Sequence, residues 1–170
     1  YVFMYKDDFS LALKDYFRLT GNPELIPRYA LGNWWSRNTT YNEESVKELV
    51  GDFERRNVPL AVFLLDKDWH YRNIGNAKDL HTGFTFNKEL FPNPSEISKF
   101  LHEHNIRLGL EIDPSEGLYP HETYYAQACS YLGINGDKII AFDPLNPKLL
   151  DVYFKLFLHP LESLGVDFFW

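Results

Sequence analysis

The sequence predicts an α/β fold, the first half of a parallel (β/α)8 barrel containing about four β/α units. Two observations carry this. Apolar runs that read as strands alternate with amphipathic segments throughout, the pattern of a parallel sheet with right-handed crossovers. The stretch Leu60–His70, LAVFLLDKDWH, has six consecutive residues without a polar side chain and then abrupt charge at Asp66, Lys67 and Asp68. Such a run reads as a strand buried on both faces, opening at its C-terminal end onto a site.

Taken in order, Asp8 is placed to cap a helix from about Phe9 to Leu19, which Gly21 ends. A proline-punctuated connector, 22–28, leads to a strand read over Ala30–Trp35. Thr40 and Glu43 have capping-box spacing, and the helix expected after them carries Val46, Leu49, Val50 and Phe53 on one face to about Arg56. The strand Leu60–Asp66 follows. Residues 72–91 form a long polar loop, and long loops in compact domains are often functional. Pro94-Ser95 opens a helix ending near His104. Ile106–Ile112 is a strand stopped by Asp113-Pro114. The irregular stretch 115–143 contains one helical region, Glu122–Tyr131. Asn146-Pro147 opens a helix to about Leu164, Gly165 closes it, and Val166–Trp170 begins a fourth strand.

A complete barrel of this kind takes about 250 residues, and this chain has 170 and stops inside an apolar strand. The expectation is therefore a piece of a larger protein, 1–27 being a helix and linker and 28–170 strands one to four of the barrel. Alone, it is expected to be inactive and poorly stable, with two strand edges and one apolar barrel face uncovered. A small open α/β sheet is the alternative. A flavodoxin-like domain would need a glycine-rich phosphate loop after a strand, and the sequence has none.

Composition narrows the function. The net charge of -7 disfavours nucleic acid as a partner. No apolar run approaches a membrane span, and no signal pattern opens the chain. A cytoplasmic location is the expectation, with secretion open. The single cysteine, Cys129, excludes an internal disulfide and reads as a small buried hydrophobe. His102, His104, His121 and His159 share no metal-ligand spacing, so no metal and no cofactor is assigned. Aromatic content is high at 17%, which suits either carbohydrate binding or a large core. A carboxylate beside an indole, as at Asp66–Trp69, offers a sugar both hydroxyl acceptors and an apolar face.

Several motifs in sequence order resemble glycoside hydrolase family 31, the α-glucosidase and α-xylosidase family. They are Pro27-Arg28, Leu31-Gly32, Ser36-Arg37, Val58-Pro59 and Leu65-Asp66-Lys67-Asp68. Phe84-Thr85-Phe86 with Leu90-Phe91-Pro92-Asn93-Pro94, Leu101-His102 through Asp113-Pro114, and the terminal Gly165–Trp170 continue the likeness. The resemblance implies retaining α-glycoside hydrolysis on oligosaccharides or other α-glycosides, by two carboxyl groups about 5–5.5 Å apart. It places the nucleophile just past Trp170 and the acid/base later still, so neither catalytic carboxylate lies in this chain and the rest of the parent enzyme would supply them. Asn38, where the family often has an aromatic residue, and Lys67, where it usually has an apolar one, suggest a polar or charged group on the substrate.

The candidate substrate-binding residues are Asp66, Lys67, Asn38, Asp113 and Trp170. By resemblance Asp66 accepts hydrogen bonds from hydroxyls of the terminal sugar; the plainer reading is a strand-end turn cap. Asp68 is as consistent with a salt bridge to Arg72 or Lys67 as with sugar contact. Asp113 is balanced between site wall and turn-forming Asp-Pro. Glu111 interrupts an apolar strand and needs a partner, Arg37 or Lys67 being the candidates. Asp167 matches a structural acid. Trp34 and Trp35 must face opposite ways. A transglycosylase on the same scaffold and a non-catalytic carbohydrate-binding domain are the rival functions.

Overall fold

The computed structural model describes residues 2–170. Helix α1 (Phe9–Thr20) and a 3-10 turn (Arg28–Leu31) precede β1 (Trp34–Ser36), α2 (Glu43–Arg55), β2 (Val62–Leu65), α3 (Pro94–Glu103), β3 (Arg107–Leu110) and α4 (Tyr125–Leu132). Helix α5 (Pro147–Val152), a π-helical stretch (Tyr153–Leu158), α6 (His159–Ser163) and β4 (Phe168–Phe169) complete the chain. All strand pairs are parallel, and the sheet order is β1-β2-β3-β4. A doubly wound sheet reverses its strand order at a switch point. Here each strand lies beside its neighbour in sequence, which is the arc of a barrel.

Side-chain alternation separates the two faces of that arc. Phe63, Leu65, Leu108 and Leu110 pack outward with Val46 and Val50 of α2, Ile97 and Leu101 of α3 and Leu161 of α6. Trp34, Val62, Leu64, Gly109 and Phe168 therefore face the barrel interior. That face is less bare than expected, since Val62 and Leu64 are buried. The Phe168 ring lies across Gly109: a Cβ on Gly109 would stand 2.5 Å from Phe168 Cζ and 2.8 Å from Leu64 Cδ1. Trp34 and Tyr29 meet the same ring at centroid distances of 5.1 and 6.1 Å. Only glycine leaves room for this aromatic plug.

Asp8 caps α1 by accepting from Leu11 N–H, and Gly21 ends it, as the sequence indicates. Helix α1 buries none of its residues, and Phe9, Leu13 and Leu19 remain exposed. Other elements differ from the reading. Ala30 and Leu31 lie in the 3-10 turn, so the first strand starts only at Trp34. The cap of α2 is Asn42, whose side chain accepts from Ser45 N–H while Ser45 Oγ accepts from Asn42 N–H. Thr40 instead donates to the Asp68 carboxylate. Helix α4 begins at Tyr125 because Glu122 is committed elsewhere. The long helix over 146–164 widens into a π segment just before Pro160, whose missing N–H and ring are incompatible with a regular bond to Leu156.

Candidate active-site wall at the strand ends

The outward burial of Phe63 and Leu65 fixes the direction of the next residue. Asp66 points into the barrel beyond the C-terminal end of β2. The Leu65↔Leu110 register carries one step further, because Glu111 N–H donates to Leu65 C=O at 2.9 Å. Glu111 thus stands beside Asp66 on the same face. The Trp69 indole N–H donates to the Glu111 carbonyl at 2.8 Å, tying the chain after β2 to the end of β3. On the other side, Trp170 N–H donates to Leu110 C=O at 2.8 Å and Ile112 N–H donates to Trp170 C=O at 2.9 Å. Trp170 meets Trp34 edge-on at 5.5 Å. The result is two adjacent carboxyl groups on an interior face that also carries two indoles.

The partner of Glu111 is neither Arg37 nor Lys67: the strand register sets Asp66 beside it, and Asp66 is the neighbouring group that acts on its carboxyl most strongly. Partial burial first, then the Asp66 hydrogen bond and charge, with Asp113 adding to the field, push the Glu111 carboxyl up to about 7, against only a weak opposing effect of Arg72. Two adjacent carboxylates repel, and the pair is stable when one holds a proton and donates it to the other. Glu111 is out of place in its apolar strand by sequence alone, whereas its partner is set by strand register across forty-five residues, which local pattern does not carry.

The other candidates divide. Asp113 accepts from Ser115 N–H at 2.8 Å, and that hydrogen bonding holds its carboxyl below the ordinary range. It forms the Asp-Pro turn and contributes charge beside Glu111. Asn38 is exposed at the centre of a three-residue turn closed by Thr39 N–H to Arg37 C=O at 2.7 Å. Lys67 forms a backbone bridge with Thr40 and its ammonium charge is felt at Asp79, on the loop after β2. Asp68 is held by Thr40 and by Arg72 at 3.7 Å. The salt-bridge reading of that residue is the one the geometry supports.

A cleft of about 550 Å³ opens beside the rim, lined by residues including Thr40, Asp68, His70, Arg72, Glu89 and His121. Neither Asp66 nor Glu111 lines it, and several of its polar groups are already paired. The loops around it are fastened by two acids that the sequence reading did not single out. Glu116 accepts from His81 and Thr82 N–H at 2.9 and 3.0 Å. Buried Glu122 accepts from Phe84 N–H at 3.1 Å and Thr85 Oγ1 at 2.6 Å. His70 is buried against Gly83, where a Cβ would fall 2.0 Å from its Nδ1, and burial pushes its imidazole toward the neutral form. These hydrogen bonds tie the loops together behind the strand ends. Among the described residues, no group of three or more His, Cys, Asp or Glu side chains is arranged to hold a metal ion.

Residues 23–170 match the sequence model of the glycosyl hydrolases family 31 TIM-barrel domain. The chain belongs to glycoside hydrolase family 31. It is 26% identical over 172 aligned residues to an α-xylosidase of Saccharolobus solfataricus, an alignment covering 100% of this chain and 22% of that protein. It is 31% identical over 126 residues to α-glucosidase 2 of Bacillus thermoamyloliquefaciens, covering 71% of this chain and 15% of the relative. The chain therefore spans about a fifth of the length of these curated relatives. In three dimensions it superposes on a family 31 dextranase of Flavobacterium johnsoniae, solved with glucose, with a TM-score of 0.75 and 21% identity, over 98% of this chain and 21% of the other. The four-stranded arc is thus the first half of a family 31 barrel.

Proposed function

We propose that this chain is the sugar-binding half of the catalytic barrel of a retaining α-glycoside hydrolase acting on terminal, non-reducing α-linked sugars. In this reading residues 1–27 lead into the barrel, and the catalytic nucleophile follows Trp170 on the rest of the parent enzyme. The observation that carries it is Asp66, turned into the barrel at the end of β2 in a family whose relatives include α-glucosidases and α-xylosidases. Active sites of such barrels lie at the C-terminal ends of the strands. There an ionised carboxylate accepts hydroxyl hydrogen bonds, while the Trp170 indole offers a flat apolar surface to the sugar's C–H face. Asp113 contributes negative charge to the same wall. Asn38 and Lys67 stand at the rim, where they would meet groups extending from the sugar.

The test is cleavage of a panel of p-nitrophenyl α-glycosides (glucoside, xyloside, galactoside) by the full-length enzyme and its Asp66→Asn variant. One member should be cleaved with net retention, because the two successive displacements each invert the anomeric carbon and the released sugar keeps the α configuration. Asp66→Asn should lower kcat/KM about 10- to 100-fold, the loss of a hydrogen bond to a charged group. Full activity in Asp66→Asn would remove Asp66 from the site. Absence of cleavage across the panel would remove the hydrolase reading.

A further inference from the structure

We propose that Asp66 and Glu111 act as one sugar-binding unit sharing a single proton, in which Glu111 is the donor half and sets the preference for a neutral hydroxyl-bearing sugar. The inference rests on the glycosidase reading and adds to it a residue that no motif of the sequence points to. Its basis is geometric. Both side chains face the barrel interior from adjacent parallel strands. Their separation is fixed by Glu111 N–H to Leu65 C=O and by the Trp69 indole on the Glu111 carbonyl. Among the described residues neither carboxyl accepts a backbone N–H or pairs with a lysine or arginine in a salt bridge, unlike Asp68, Glu116, Glu122 and Asp167.

A lone carboxylate can only accept hydrogen bonds, and a sugar hydroxyl can both donate and accept. A carboxyl–carboxylate pair carrying one proton presents an acceptor on Asp66 and a donor on Glu111, matching adjacent hydroxyls of one sugar. The charged groups facing Glu111 are Asp66 from β2, Asp113 from its own chain end and Arg72 from the loop after β2; β4 contributes only the neutral Trp170. Two acids against one distant cation favour retention of the proton. Loss of it leaves a dianion that supplies no donor and repels itself, so sugar affinity falls as the pair deprotonates.

The test uses the full-length enzyme with Glu111→Gln, Glu111→Leu and Asp66→Asn. In the wild type, KM for the cleaved α-glycoside should rise about tenfold between about pH 6 and pH 8, because the competent fraction falls about tenfold per unit above the transition. Glu111→Gln keeps a permanent donor, so its KM should be flat over that range; Glu111→Leu should hold the high KM at every pH. Titration of the Glu111 carboxyl by 13C NMR, assigned by its loss in Glu111→Gln, should show a raised midpoint that falls toward the ordinary range in Asp66→Asn. A flat wild-type KM, or a Glu111 titration indifferent to Asp66→Asn, overturns the shared-proton unit even if the enzyme cleaves glycosides normally. An enzyme that cleaves no α-glycoside but keeps the coupled NMR titration overturns the glycosidase reading and the sugar-binding half of this proposal, leaving the proton sharing established.

Discussion

The two ends of the strands carry acids treated in opposite ways. At the N-terminal end, Asp167 sits just before β4 with its side chain largely covered. Its carboxylate accepts from Leu108 N–H at 2.8 Å, the Arg107 guanidinium at 3.0 Å and the His102 imidazole at 2.7 Å. Those donors come from β3 and α3, so one carboxylate joins three elements. At the C-terminal end, Asp66 and Glu111 have chiefly each other. An acid inside an apolar strand is thus no mark of a site by itself. What separates the two ends is whether the fold has already used the acid's hydrogen-bonding capacity. In barrels of this kind the N-terminal end serves stability and the C-terminal end serves ligands, and the three donors on Asp167 suit the former.

The largest expected effect breaks the satisfied end. Asp167→Ala leaves Leu108 N–H without its side-chain acceptor and strands Arg107 and His102. Urea unfolding of the full-length protein should show a loss of about 3 kcal/mol. Asp167→Asn, which keeps one acceptor oxygen, should lose less. A loss under about 1 kcal/mol in Asp167→Ala would show that water replaces the carboxylate at no great cost, and the contrast between the two ends would collapse.

The unsatisfied end should behave in the reverse sense, and its pH dependence has a definite sign. The Glu111 carboxyl is raised from the ordinary 4.5 to about 7 in the folded protein. Between those values the folded state holds a proton that the unfolded state has released, so stability falls as pH rises. The contribution is whole below about pH 4.5 and gone above about pH 7. Glu111→Gln should remove this slope, so thermal midpoints of the variant relative to wild type should improve from pH 5 to pH 8. A constant difference across that range would mean that Glu111 titrates alike folded and unfolded.

That contrast also marks what could be read before the structure. The strand at Leu60–Leu65 was legible because burial on both faces writes a continuous apolar run, and Asp66 followed as the first charge beyond it. The capping of α1 by Asp8 was legible because it is local. The α2 cap was misplaced by two residues, since Thr40 and Asn42 are equally good capping chemistry and only the Thr40–Asp68 contact, made across the sheet, decides between them. The partners of Glu111 and Asp167 lie on neighbouring strands, at separations that no periodicity encodes. The loop acids Glu116 and Glu122 were silent for the same reason: accepting the backbone N–H groups of residues 81–84 requires no particular residue type at those positions. Family motifs supplied the order of the site and left its pairings unstated.

The smallest effect sharpens the rule that partners, rather than polarity, decide what a buried group does. Tyr153 lies in the second core, edge-on to Phe84 and Phe142 at 5.4 and 5.0 Å. Its hydroxyl is buried without a hydrogen-bond partner among the described residues, and burial together with the Glu122 charge pushes it well above the ordinary tyrosine range. Unlike Asp66 and Glu111, which have each other, it has no partner, and it is sealed in the core, where no sugar can reach it. Removing the oxygen should therefore relieve a desolvation cost at the expense of a very small cavity. Tyr153→Phe should leave glycoside cleavage unchanged and stabilise the protein by up to about 1 kcal/mol. A destabilisation of similar size in urea unfolding would mean that the hydroxyl is bonded in solution, through water to Glu122, and that it belongs with the satisfied acids of the loop frame.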